Sequence, residues 1–187
     1  MGIPGLWVEG NEALPLRGAV LLVANHRSPL DVLWLSLASP RPVHVVTAAW
    51  LRLFGLGLWG PGIGLHPLPW HARRSDLVHL VRPMWDRGEV VLVFPEGMSG
   101  VMWPAPKGGM GLCRLGAGAL VREARRSSHG LTVVVAYVQA QWLSCGLALP
   151  PVRIGFKRLG PLPVARDRED DDHVVTVLKQ QILSCCA

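Results

Sequence analysis

Three short, uninterrupted apolar runs constrain the fold most: GAVLLVA at 18–24, EVVLVF at 89–94 and LTVVVAYV at 131–138. Runs of this length fit strands buried within a sheet, and they are too short to cross a bilayer. Val43–Thr47 and Val152–Phe156 read as two more strands. The segments between them carry helix signals. Ser28 can cap a helix, Pro29 suits its first position, and Asp31 stands three residues after the cap. That helix is expected to pass through Leu33, Trp34 and Leu37 to about Ser39, where Pro40 and Pro42 end it. Helices are also expected over Ser75–Trp85, with a kink at Pro83, over Gly109–Arg126, and over Asp172–Ser184. Strands alternating with helices predict an α/β fold, a single domain over 1–187 with a mixed central sheet flanked by helices.

Residues 53–70, LFGLGLWGPGIGLHPLPW, contain no Asp, Glu, Lys or Arg. Hydropathy alone marks them as membrane-spanning. Five glycines and three prolines in 18 residues argue otherwise, because lipid leaves no partner for a broken helix backbone. Trp50, Trp59 and Trp70 bracket the stretch, and tryptophan favours the membrane–water interface. The segment 48–62 is therefore expected to dock on a membrane or contact an acyl chain; the competing reading is a plain hydrophobic core segment. Met1–Gly10 lacks the basic start and apolar core of a secretory signal, and the first 24 residues are too short and too polar to span a bilayer.

The chain carries a formal charge of +6, unevenly placed. Residues 1–166 hold 17 Lys and Arg against 8 acids, whereas 167–187 hold 2 against 5. A basic body suits an anionic partner such as a lipid surface or an acidic carrier. An arginine-rich composition, with 16 of the 19 basic residues Arg, gives the same sum without any partner. The tryptophans sit among apolar residues, and no recognition motif is present, so nucleic acid is not expected as a partner. The four cysteines, Cys113, Cys145, Cys185 and Cys186, lack metal-site spacing and read as reduced thiols of a cytosolic protein. His66, His71 and His79 are close in sequence but form no ligand pattern on one helix face, so no metal site is expected.

Chemistry concentrates at two strand ends. His26 follows the first apolar run, and Asp31 lies in the first turn of the next helix. A carboxylate there can hold one imidazole nitrogen protonated and leave the other free to take a proton from a hydroxyl. Ser28 stands between them, but three residues this close in sequence do not converge as a triad, and no Gly-x-Ser-x-Gly elbow exists. The second strand end is Phe94-Pro95-Glu96-Gly97, which exposes backbone amides and a carboxylate at the same rim of an α/β sheet.

Together, NHRSPLD at 25–31 and VLVFPEG at 91–97 resemble the glycerolipid acyltransferase family, the lysophosphatidic acid acyltransferase-like enzymes. Lys107-Gly108, the strand Val133–Tyr137 and the stretch Val152–Phe156 through Gly160-Pro161-Leu162 fit the same order, so the resemblance covers residues 17–165. It implies a glycerol-3-phosphate acyltransferase-like fold and transfer of a fatty acyl group from acyl-CoA or acyl-carrier protein to a hydroxyl of a lysophospholipid or related lipid. His26 would be the general base and Asp31 its orienting partner. Asn25, Ser28, Glu96, Gly97, Arg73, Arg74 and Lys107 would line the substrate site. No metal or resident cofactor is implied; the thioester is a co-substrate. The enzyme would sit in the cytoplasm, peripheral on the inner face of the membrane.

Two departures bear on the acceptor. The family carries Arg at the end of a Gly-x-x-x-x-x-Arg segment, where this chain has Gly64 to Trp70. It also carries Thr-Arg-Ser after Pro-Glu-Gly, where this chain has Met98-Ser99-Gly100. Those arginines suit an acceptor phosphate. Either Arg73, Arg74 or Lys107 replaces them, or the acceptor lacks that phosphate. The alternative function is a non-catalytic, membrane-associated lipid- or acyl-binding protein of the same fold.

Overall fold

The computed structural model describes residues 5–28, 30–48, 64–69, 72–96, 116–126, 130–140, 151–160 and 168–184. Within them lie strands β1 (Leu6–Glu9), β2 (Val20–Ala24), β3 (Val43–Ala48), β4 (Leu65–Leu68), β5 (Val90–Val93), β6 (Thr132–Ala140) and β7 (Val152–Arg158). The α-helices are α1 (Asp31–Ala38), α2 (Arg74–Asp86), α3 (Gly116–Arg126) and α4 (Arg168–Ser184). The strands form one sheet in the order β1-β7-β6-β2-β5-β3-β4. All neighbours pair parallel except β6 and β7, which pair antiparallel. The sheet is mixed and flanked by helices, as the sequence predicts.

Strand alternation explains why the central strands are apolar throughout. Leu21 and Val23 of β2, Val91 and Val93 of β5, and Val135 and Tyr137 of β6 meet one layer, containing Val81, Met84 and Trp85 of α2, Leu120 and Val121 of α3, and Val174, Leu178 and Ile182 of α4. The alternate residues Val20, Leu22, Ala24, Val90, Leu92, Val134 and Ala136 meet Trp34, Leu35 and Ala38 of α1 on the other face. A strand covered on both faces has no solvent side to mark with polar residues. In α4 the buried residues recur at four-residue spacing, the stripe a helix needs to lie on a sheet.

Two strands escape the apolar-run criterion. Leu6–Glu9 alternates half-buried with exposed residues at one sheet edge, and Leu65–Leu68 forms the other edge. Pro67 lies inside β4, which an edge strand tolerates because it needs ladder bonds on one side only. Gly64 enters that strand at φ +69°, and a Cβ there would lie 2.8 Å from the Val43 carbonyl oxygen. Only glycine fits this approach.

The helix expected from Ser28 to Ser39 spans Asp31–Ala38, with Ser39 already extended. Residues 109–115 of the third expected helix, the 49–62 part of the docking segment, and Trp50, Trp59 and Trp70 lie outside the described residues. Helix α2 continues through Pro83 to Asp86. Helix α4 begins before the expected Asp172, at Arg168, and ends at Ser184 as expected. Among the described residues, no helix is long and apolar enough to cross a membrane.

Candidate active site

The site grows from the register of two adjacent parallel strands. Val20 of β2 lies opposite Val90 of β5, and Val23 opposite Val93. Carried past the strand ends, this register sets His26 level with Glu96. The contact is present: the His26 backbone N–H donates to Glu96 Oε1 at 3.1 Å. The two motifs, seventy residues apart in sequence, are thus joined by a hydrogen bond at the C-terminal ends of the central strands.

Asp31 opens α1, and its carboxylate is fully buried. Its Oδ2 accepts the backbone N–H of Arg27 at 2.6 Å and of Ser28 at 2.7 Å, and faces His26 Nδ1 at 3.2 Å. Backbone N–H groups can only donate, so the oxygen they share carries no proton. The contact to Nδ1 is then a hydrogen bond only if Nδ1 carries the hydrogen. In a neutral ring that leaves Nε2 with its lone pair. The positive end of α1 favours the carboxylate charge at this position.

The remaining predicted residues divide sharply. Asn25 is fully buried; its Nδ2 donates to the Val138 carbonyl at 2.9 Å and its Oδ1 accepts the Val138 N–H at 2.7 Å. Strand β2 ends at Ala24, so this amide takes the place of the next peptide and closes the ladder to β6. Asn25, expected in the substrate site, ties the His26 loop to its neighbour strand. Ser28 is also buried, and its Oγ accepts the Leu30 N–H at 3.1 Å. This bond closes a turn ahead of α1, whose cap position is Leu30 and carries no side-chain cap, so Ser28 is not the helix cap expected from the sequence. Glu96 is fully buried too and reaches the site through the His26 backbone.

Arg73 is exposed and Arg74 half-buried at the start of α2. They follow β4, so they share the rim with His26 but lie three strands away from β2, roughly 14 Å at the usual spacing. Gly97 and Lys107 lie outside the described residues. Among the described residues, no group of three or more His, Cys, Asp and Glu side chains is placed to hold a metal.

One residue was not singled out from the sequence. The Phe94 ring stacks on the His26 imidazole, with centroids 4.1 Å apart and planes 20° from parallel. The signal was available in the parity of the strand: 90, 92 and 94 share a face, and the register sets Phe94 level with Ala24, two residues before His26.

A carboxylate-braced histidine at the parallel rim of an α/β sheet has the geometry that taking a proton from a hydroxyl requires. Comparison with models of protein families matches residues 6–139 to the Acyltransferase family. Among solved structures, the chain is similar to the crystal structure of the 1-acyl-sn-glycerophosphate (LPA) acyltransferase PlsC from Thermotoga maritima, at 18% identity and a TM-score of 0.64. That likeness covers 97% of this chain and 72% of the other, and at such identity it speaks to the fold. No match is found among curated proteins. The chain belongs to the acyltransferase family, and the protein is an acyltransferase.

Proposed function

We propose that this enzyme transfers a fatty acyl group from an acyl thioester, acyl-CoA or acyl-carrier protein, to a hydroxyl of a lysophospholipid or related glycerolipid. The carrying observation is the Asp31 oxygen that gathers two backbone N–H groups and faces His26 Nδ1. His26 Nε2 takes the acceptor's hydroxyl proton as that oxygen attacks the thioester carbonyl. The C–O bond forms, the tetrahedral oxyanion collapses, the C–S bond breaks, and the imidazolium returns the proton to the thiolate. Atoms balance without a metal, a resident cofactor or an acyl-enzyme. A positioned base of this kind contributes about 10²–10⁴-fold to rate.

Arg73 and Arg74 are the described cations nearest in chain order to the family's missing arginine position. With Lys107 they are proposed to meet an acceptor headgroup, and the departures at Trp70 and Met98-Ser99 favour, slightly, an acceptor other than lysophosphatidic acid. The enzyme is proposed to work as a peripheral protein on the cytoplasmic face of the membrane, contacting lipid through 48–62. The test is thiol release from palmitoyl-CoA and from an acyl-carrier-protein thioester, with a panel of lysolipids, by the wild type and His26→Ala. Acceptor-dependent release lost in the variant supports the reading. Undiminished release by His26→Ala removes the base from it.

A further inference from the structure

We propose that Phe94 is a positioning residue for acyl transfer, one that holds the His26 ring face-on and stabilises it in the charged form that follows proton uptake. The proposal rests on the reading of His26 as the base. Two contacts bear on that ring from different directions. Asp31 Oδ2 reaches Nδ1, and Phe94 covers a ring face at 4.1 Å with planes 20° from parallel. A hydrogen bond alone leaves the ring free to tilt about the bond. A stacked aromatic removes that freedom. Phe94 is itself partly buried and packed against the core cluster on the α1 side, so the ring has support besides the histidine.

The chemistry makes this contact unequal along the reaction. Before proton transfer the imidazole is neutral and the stack is a packing contact. Once Nε2 has taken the hydroxyl proton, the ring is a cation lying over an aromatic face. The ring quadrupole attracts it, more strongly where water is excluded. The His26 side chain is only 12% exposed, so water competes weakly. When the proton passes to the leaving thiolate the attraction ends. An interaction present only while the charge exists acts on kcat and leaves KM alone. A leucine at 94 would fill much of the volume and provide no π face.

The experiment replaces Phe94 with phenylalanines carrying one, two and three ring fluorines, which weaken the π face at nearly constant shape. Phe94→Leu, Phe94→Trp and His26→Ala are measured alongside, with Tm for each. The expected result is a stepwise fall in kcat, reaching about tenfold at three fluorines, equivalent to about 1.4 kcal/mol. KM for the thioester should stay within about twofold. Phe94→Leu should lose at least as much kcat, and Phe94→Trp should retain most of it. A flat kcat across the fluorine series overturns the proposal, as does a Phe94→Leu defect confined to KM or Tm. If His26→Ala is inactive and the series is flat, only the Phe94 role falls; if His26→Ala is active, the base reading falls with it.

Discussion

The two rims of the sheet handle polar groups in opposite ways. At the C-terminal rim, carboxylates and an amide face inward: Asp31, Glu96 and Asn25 are fully buried and engage backbone groups of the 26–28 loop or of β6. At the other rim a cation does the tying. Arg41 donates to the carbonyls of Pro15 and Gly18, at 2.9 and 2.8 Å, and to that of Gly88. Nearby, His44 Nδ1 meets His66 Nε2 at 2.9 Å, His44 Nε2 lies 3.4 Å from Glu89, and Arg87 pairs with Glu89 at 2.8 Å. One rim points donors at a carboxylate and thereby sets a histidine tautomer. The other satisfies chain turns, and its histidine, His44, lies between a second imidazole and a part-exposed Glu89 that is shared with Arg87. Activity should be sensitive to the first rim, and only stability to the second.

The sharpest break in that contrast comes from Asp31→Asn. The side chain stays close in shape but loses the charge that orders Nδ1, so kcat should fall about 10²–10⁴-fold. A loss under tenfold would make the rims equivalent. Next is Asn25→Ala, which leaves the buried N–H and carbonyl of Val138 without their partners. Each such group costs about 1–3 kcal/mol, so denaturant unfolding should show a loss of roughly 2–6 kcal/mol. Arg41→Met, at the opposite rim, should cost about 1–2 kcal/mol of stability with kcat unchanged, because its bonds are partly exposed. An equal kcat loss in Arg41→Met would erase the distinction.

The smallest effect is a pH dependence at the second rim. Burial, and then the neighbouring His44, push the His66 pKa below its ordinary 6.5. In the window just below 6.5 the unfolded chain therefore binds more protons than the folded one. Stability is complete above 6.5 and declines as pH falls through that window. The geometry agrees, since one hydrogen joins Nδ1 to Nε2 and a second would set two N–H groups face to face. Glu89 contributes with the same sign at lower pH, held below its ordinary value chiefly by the Arg87 hydrogen bond. Unfolding midpoints of the wild type and His66→Gln, compared between pH 5 and 8, should converge at the acid end. Parallel curves would show that His66 carries none of the slope.

Much of this architecture was legible in the sequence, for a physical reason. Strands β2, β5 and β6 are buried on both faces, so their apolar runs announce them without any alternation. Strands β1 and β4 are short, lie at the edges and carry Glu9 or Pro67, which blurs the signal. The pair His26 and Asp31 was readable because a strand end and a helix start bring them together locally. Burial of Asn25, Ser28 and Glu96 was not readable, because a motif gives residue types and not the side each faces. The Asn25–Val138 and His26–Glu96 bonds span 113 and 70 residues, and sheet register alone decides them. His44 stands half-buried against His66 because β3 and β4 pair in parallel, a contact that register and not local sequence decides.

The central claim is that Asp31 holds His26 in the tautomer that bares Nε2. Nitrogen-15 NMR of the histidine-labelled enzyme, with His26 assigned by loss of its signals in His26→Ala, reads that tautomer directly. At neutral pH Nδ1 should carry the hydrogen and Nε2 none, and Asp31→Asn should lose this preference. A His26 ring protonated at Nε2 with Nδ1 bare would contradict it.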